Sequence, residues 1–340
     1  MTEKASLKVE FGGYSTAGLK PENQDAFGAY SAKGREAYYK GLTAAIADGV
    51  SVCERGAEAS QIATNNFLND YYCTPETWTV KESAARVLNS LNSWLYQQGT
   101  GIRATRQYSE LVTTFDAIVF KSNTAHIFHI GDSSVWRFHK GNLERLTRDH
   151  TIMQKNSGSA LSRALGMDMH LEADYKQHDL REGELYILMT DGVDSFIPHK
   201  QIKEIVSGSD SYKSLEQCAQ RIVNQALSNG SDDNLSCLVC RVDELPKSEL
   251  EEAQRNSDKR VIPPVLEVGN KLDEFVVDQI LYSGTRSHLY RVHKEGDTFW
   301  YHECPHSNKK VYLPIGMKCP DCVLNEMDSL EKGKLRDETK

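Results

Sequence analysis

Leu42-Thr-Ala-Ala-Ile-Ala-Asp-Gly-Val-Ser51 is the stretch whose reading decides the fold. Small and apolar residues run up to a carboxylate, Asp48, and a glycine follows. The run is too short for a helix of its own and reads as a buried strand with Asp48 at its exit. Gly49 lets the backbone turn sharply there and brings its carbonyl close to whatever Asp48 binds. The pattern returns at Leu185-Tyr-Ile-Leu-Met-Thr-Asp-Gly-Val193. Two strands thus deliver Asp-Gly to one end of a sheet.

Outward from this stretch, residues 7–14 read as a first strand. Gly18–Asp25 is a polar loop carrying Lys20 and Asp25. Helical spacing follows over 54–72 (Ala59, Ile62, Ala63, Phe67). It returns over 81–98, with Ala84, Val87, Leu88, Leu91, Trp94 and Leu95 on one face and Gly99 and Gly101 as the stop. Strands at 111–120, 124–130 and 135–138 form an antiparallel meander, turning at Ser122-Asn123, at Gly131–Ser133 and then at Lys140–Asn142. Residues 145–170 read as a loop with a short helix around 160–165. The cleanest periodicity lies over 214–228, where Ser214 with Gln217 fits a capping box and Gly230 fits a C-terminal stop. A last strand spans 235–242. Helices in pairs and strands in meanders give an α+β fold: a four-layer α-β-β-α sandwich of two mostly antiparallel sheets flanked by helices, with a small C-terminal appendage.

The 340 residues, 39% hydrophobic and 26% charged, are ordinary for a soluble protein. A net charge of −8 argues against a general nucleic-acid binder. No apolar run is long enough to span a membrane, and the first residues lack the apolar core of a secretory signal. Scattered cysteines (Cys53, Cys73, Cys218, Cys237, Cys240) suit a reducing, cytoplasmic setting.

Acids collect at strand edges: Asp25, Asp48, Asp132, Asp191 and Asp233. Two carboxylates ~4 Å apart repel by roughly 4 kcal/mol at an effective dielectric of about 20, so such a cluster calls for a cation or for protons. Hard oxygen ligands favour Mg²⁺ or Mn²⁺ over Zn²⁺. Taken singly, each feature has a plainer reading. An Asp-Gly after a strand is most often a turn, Gly131-Asp132-Ser133 a hairpin turn, and Lys20 a solvated charge. His126, His129 and His150 read as core or surface histidines.

The ordered set resembles the metal-dependent type 2C Ser/Thr protein phosphatase family. The matching pieces are Lys20-Pro-Glu-Asn-Gln-Asp25, Ala47-Asp-Gly49, Thr113-Thr114, Gly131-Asp-Ser-Ser134, Leu146-Thr-Arg-Asp-His-Thr151, Arg163-Ala-Leu-Gly166, Thr190-Asp-Gly192 and Asp233-Asn-Leu-Ser236, covering about residues 8–242. The resemblance implies that Asp48 bridges two metal ions and that the Gly49 carbonyl holds one. Asp191 and Asp233 complete the other, and Asp132 serves a third, weaker ion. It implies that Asp25 hydrogen-bonds metal waters, that Asn234 orients the last aspartate, and that a hydroxide between the ions is the nucleophile.

The sequence also departs from the family pattern. Lys20 stands where the family has a phosphate-gripping Arg, and offers a point charge in place of a bidentate fork. Gln24 replaces a Glu, Ser134 replaces an Arg, and Val50-Ser51 replaces glycine-rich residues. The last change resembles bacterial members fused to Ser/Thr kinases. Residues 1–243 are therefore read as the phosphatase domain and 244–264 as a linker. Residues 265–300 resemble the opening hairpin of a kinase small lobe, without the catalytic motifs that would make a kinase. Residues 301–325 have zinc-ribbon-like spacing, in which Cys304, His306, Cys319 and Cys322 could close a structural zinc site; 326–340 form a charged tail. The expected activity is hydrolysis of phosphoserine and phosphothreonine on proteins with two or three Mn²⁺ or Mg²⁺ ions, in bacterial phosphosignalling. The expected partners are phosphoproteins and a cognate Ser/Thr kinase, with no nucleic acid or membrane. The competing reading is a pseudophosphatase scaffold that binds phosphorylated partners without turnover, motivated by Lys20 and Gln24.

Overall fold

The computed structural model describes residues 6–100, 109–154, 158–209, 213–246, 266–272, 274–283, 288–294, 296–303 and 310–314. The chain divides into two units, Met1–Ser248 and Glu249–Lys340.

The first unit runs β1 (Lys8–Thr16), β2 (Asp25–Tyr30), α1 (Gly34–Lys40), β3 (Leu42–Asp48), α2 (Gly56–Cys73), α3 (Val80–Thr100), β4 (Phe115–Lys121), β5 (Thr124–Ile130), β6 (Ser134–His139), β7 (Asn142–Arg145), β8 (Thr151–Gln154), β9 (Gly158–Leu161), β10 (Asp174–Asp179), β11 (Leu185–Met189), α4 (Asp191–Asp194), α5 (His199–Ser207), α6 (Leu215–Ser228) and β12 (Leu235–Glu244). One antiparallel sheet has the order β1-β12-β11-β6-β7 and the other β10-β5-β4-β3-β2. Their inner faces share a core that includes Ala44, Ile46, Ile118 and Phe120 from one sheet and Tyr186, Leu188, Leu238 and Cys240 from the other. The outer face of the β3 sheet (Ala45, Ala47, Ala117, Val119) packs on α2 and α3. The outer face of the β11 sheet (Ile187, Met189, Val239) packs on α5 and α6. This is the expected α-β-β-α sandwich. It explains why β3 reads as a continuous apolar run rather than an alternating one: it is buried on both faces.

Several expectations change in detail. The meander of 111–138 is divided between the sheets, because β4 and β5 lie in one and β6 in the other. Gly131–Ser133 is therefore a crossover between layers and not a hairpin turn. No helix forms around 160–165. Residues 158–161 pair with β8, and Leu165 bridges Thr113 with both amides bonded (2.9 and 3.1 Å). Strand pairing satisfies the backbone that a helix would otherwise have served. Trp94 is 44% exposed, whereas Asn92 takes the buried place on α3 and bonds the Gly166 amide and the Asp168 carbonyl. Gly99 lies inside α3 and does not stop it, since the helix runs on through Thr100. At α6, Ser214 accepts from the Gln217 amide, but the Gln217 side chain reaches the Lys213 amide and leaves the capping box open. Among the described residues no helix is long and apolar enough to cross a membrane.

In the second unit, β13 (Lys271–Leu272), β14 (Phe275–Ser283), β15 (His288–Lys294), β16 (Asp297–Glu303) and β17 (Lys310–Pro314) form a five-stranded antiparallel meander. Its own core is Val277, Tyr290, Val292 and Tyr301. β16 passes straight through the division expected at 300. The zinc candidates Cys304, His306, Cys319 and Cys322 lie outside the described residues.

Candidate metal centre

Asp48 and Asp25 are partners in the β2–β3 register, one directly across from the other. Like charges facing across a strand pair destabilise it, so this pairing needs a reason. Asp25 is fastened on all sides but one. Its Oδ2 accepts from Thr190 Oγ1 at 3.0 Å, and its amide donates to Asn23 Oδ1 at 3.2 Å. Thr190 immediately precedes Asp191 and carries the contact over from the opposite sheet. Asp25 Oδ1 is buried with no partner.

Asp48 is set by Thr113 and Thr114. The Asp48 amide donates to Thr114 Oγ1 (3.0 Å), and the Asp48 carbonyl accepts from the Thr114 amide and from Thr113 Oγ1, both at 2.8 Å. Thr114 Oγ1 is also 2.7 Å from Ser133 Oγ, which ties Asp48 to the crossover that carries Asp132. Gly131 adopts φ 114°, and a Cβ there would meet the Thr114 Cβ at 2.6 Å. Gly49 does not make the sharp turn expected of it. It stays extended, bridging Thr113, and its amide donates to the Gln24 carbonyl at 3.0 Å. Glycine is required there for close approach, since a Cβ would lie 2.3 Å from the Gly56 backbone.

Two of the histidines read as core or surface residues, His129 and His150, hold the backbone around the site. The His129 ring faces Asp116 Oδ1 (2.6 Å) and the Arg148 carbonyl (2.8 Å). Burial pushes this ring toward its neutral form, but Asp116, the Arg148 carbonyl and Asp174 together outweigh it and the net direction is up. His150 Nδ1 accepts from the Gly131 amide at 3.2 Å.

Asp233 and Asn234 precede β12. Asn234 donates its main-chain amide to Asp233 Oδ1 (2.8 Å), while its side chain turns elsewhere. Its Oδ1 accepts from the Gln24 amide (2.9 Å), and its Nδ2 donates to the Ala17 and Glu22 carbonyls (3.0 and 2.8 Å). Asn234 therefore pins the loop that presents Lys20, whose Nζ is 3.4 Å from Asp233 Oδ1. Gln24 acts through its backbone. Its carbonyl accepts from Gly49 and from Ser60 Oγ, so this structural role is independent of the Gln-for-Glu change. Ser134, where the family has Arg, and Trp136 face Asp194, and Arg145 of β7 supplies the guanidinium at 3.2 Å.

Electrostatically the acids resist ionisation together. Burial, then Asp25 and Asp191, push Asp48 well above the usual carboxylate range. Burial raises Asp25 to about 7 against hydrogen bonds from Ser236 and Thr190, with Asp191 and Asp233 adding to the rise. Asp132 is likewise pushed up to about 7 by burial and by Asp191. Asp191 is raised by burial, although the hydrogen bond with Asp48 opposes the rise. The structure brings together Lys20, Asp25, Asp48, Gly49, Asp132, Asp191, Asp233 and Asn234. Among the described residues no three acid, imidazole or thiol groups close around one point as a finished ligand sphere. The donor set nonetheless fits a hard divalent cation: all-oxygen groups, mutually repelling, with an unpartnered carboxylate oxygen buried beside them.

The fold is that of solved bacterial Ser/Thr phosphatases. The chain belongs to the protein phosphatase 2C family, whose model matches residues 13–237. It is 24% identical over 251 residues to a putative protein phosphatase 2C-type of Streptococcus pyogenes, covering 68% of this chain and 95% of that one. It is 26% identical over 214 residues to the Ser/Thr protein phosphatase PstP of Mycobacterium tuberculosis, covering 58% of this chain and 40% of that longer protein. Among solved structures, the catalytic domain of PstP in complex with two manganese ions superposes with a TM-score of 0.56 at 23% identity, over 70% of this chain and all of that one. Stp1 of Staphylococcus aureus gives 0.59 at 16% identity, over 72% of this chain and 98% of that one.

Proposed function

We propose that this chain dephosphorylates phosphoserine and phosphothreonine on proteins, with Mn²⁺ or Mg²⁺ held by Asp48, the Gly49 carbonyl, Asp191 and Asp233, and a weaker ion at Asp132. The observation that carries this reading is the facing pair Asp25–Asp48 joined by Asp191 from the opposite sheet. Family membership supports it. When bound, such ions supply Lewis acidity and make water a nucleophile at neutral pH. The residues do the rest. Asp25 Oδ1 accepts a hydrogen bond from water in the gap and orients it. Lys20, at the mouth, offers its ammonium to the phosphate. Thr113, Thr114 and Ser133 hold Asp48 still while charge builds up.

A cognate Ser/Thr kinase and a place in bacterial phosphosignalling belong to the same proposal; the relatives named above, bacterial phosphatases, support its phosphoprotein side alone. Five described cysteines are free thiols, which supports a reducing compartment such as the cytoplasm. The kinase-like reading of 265–300 and a structural zinc on Cys304, His306, Cys319 and Cys322 are separate proposals, and the zinc content of the purified chain decides the second. The test of the main proposal is phosphate release from a phosphothreonine peptide with Mn²⁺, by the wild type and by Asp191→Asn. Metal-dependent release that the variant loses is the expected result. No release by the wild type leaves a scaffold.

A further inference from the structure

Lys20 is placed oddly for a residue that should wait for phosphate. Its Nζ already pairs with Asp233 Oδ1 at 3.4 Å, with the two side chains 38% and 34% exposed. Its backbone is not free to carry it away. The Lys20 amide donates to the Ala17 carbonyl (3.1 Å), and Asn234, next to Asp233, holds the Ala17 and Glu22 carbonyls. Lysine and aspartate are thus mounted on one clamped frame, and only the lysine stem can move. The ammonium acts on Asp191 as well, favouring its ionised form.

A divalent ion that takes Asp233 as a ligand competes with this ammonium for the same carboxylate. We infer that Lys20 is a tethered counter-cation for Asp233, which lowers the affinity of that position for the divalent ion and turns to the phosphate once the ion has displaced it. A lysine suits this exchange, being a point charge on a flexible stem, where an arginine fork would grip its carboxylate bidentately. The inference rests on the metal-centre reading above.

The experiment is calorimetric titration of Mn²⁺ into the metal-stripped full chain, for wild type, Lys20→Gln, Lys20→Arg, Asp233→Asn and the double variant Asp233→Asn/Lys20→Gln. Lys20→Gln should bind Mn²⁺ about two- to five-fold more tightly, the span that a half-exposed ion pair allows. Lys20→Arg, whose fork grips the carboxylate more firmly, should bind Mn²⁺ less tightly than wild type. On the Asp233→Asn background, the tightening by Lys20→Gln should shrink to the smaller part that acts through Asp191. Unchanged or weaker binding by Lys20→Gln overturns the inference, as does tightening by Lys20→Arg or tightening that survives at full size in the double variant. A wild type that takes up no Mn²⁺ overturns the metal-centre reading itself.

Discussion

After β3 the chain stays extended, with Gly49 bridging Thr113 and donating its amide to Gln24. After β11 the same dipeptide coils. Asp191 opens α4, the Ser195 amide returns to the Asp191 carbonyl at 2.9 Å, and the Gly192 carbonyl is taken by Ser231 Oγ at 2.7 Å. The dipeptide specifies a carboxylate at a strand exit, and its neighbours decide where the backbone goes. Thr113 and Thr114 hold the first exit straight. Beyond the second, Ser231 Oγ holds the glycine carbonyl, which fits the proposal that the first exit alone pairs a carboxylate with a carbonyl as metal ligands.

The largest expected effect follows from that asymmetry. Asp48→Asn should lower Mn²⁺-dependent turnover by more than about 100-fold, and by more than Asp191→Asn, because Asp48 is assigned to both ions. Equal losses in a phosphate-release assay would erase the distinction between the exits. Both variants should also raise the melting temperature of the metal-free protein at pH 8. Each removes a buried, repelling carboxylate, and about 1 kcal/mol is worth about 2–4 °C in a domain of this size.

Next comes pH. Asp25 and Asp132 bind protons more tightly folded than unfolded, at about 7 against the ordinary 3.8. The stability they contribute is full below the unfolded value and is lost as pH rises through about 7. In EDTA the melting temperature should therefore fall between pH 4 and pH 8, and Mn²⁺ should flatten the slope. A flat profile without metal would mean that these groups ionise freely.

Thr114→Val tests the straight exit. It leaves the Asp48 amide and Ser133 Oγ short of a partner, at about 1–3 kcal/mol, and should lower kcat roughly 10-fold. Chemical denaturation and kinetics read the two separately, and a change in stability alone would make Thr114 merely structural. The smallest effect is expected from Asn234→Ala, which loosens the loop under Lys20. It should raise KM for the phosphopeptide a few-fold and leave kcat nearly unchanged; a loss confined to kcat would move Asn234 from the loop to the chemistry.

Much of this was legible in the sequence. The apolar run of β3 could only be a strand covered on both faces, and α6 announced itself by period and cap. Four of the acids, Asp48, Asp132, Asp191 and Asp233, were findable because each sits beside a glycine, serine or asparagine at a strand end, and Asp25 because it closes a polar loop before a strand. What escaped has physical reasons. Edge strand β10 is polar throughout and carries no period that sets it apart from a loop. The local composition of Ala160–Leu165 favours a helix, yet long-range pairing with β8 and Thr113 overrides it. Gln24 works through its main chain, which side-chain identity does not report. Asn234 reaches Asp233 through its main-chain amide, but its side chain serves residues more than 200 positions away, a partnership visible only once β1 and β12 are paired.

The crossover at Gly131–Ser133 has a mechanical meaning. Three residues lace two sheets together at the end where the acids meet, Asp25 and Asp48 from one sheet and Asp191 and Asp233 from the other. The lacing fixes one end of the gap, while the apolar filling between the sheets, Phe120 against Tyr186 among it, sets its width. The hydrophobic core thus doubles as a caliper. A methylene added or removed deep between the sheets would reset the distance across which opposing carboxylates must reach, and with it the size of ion they can share.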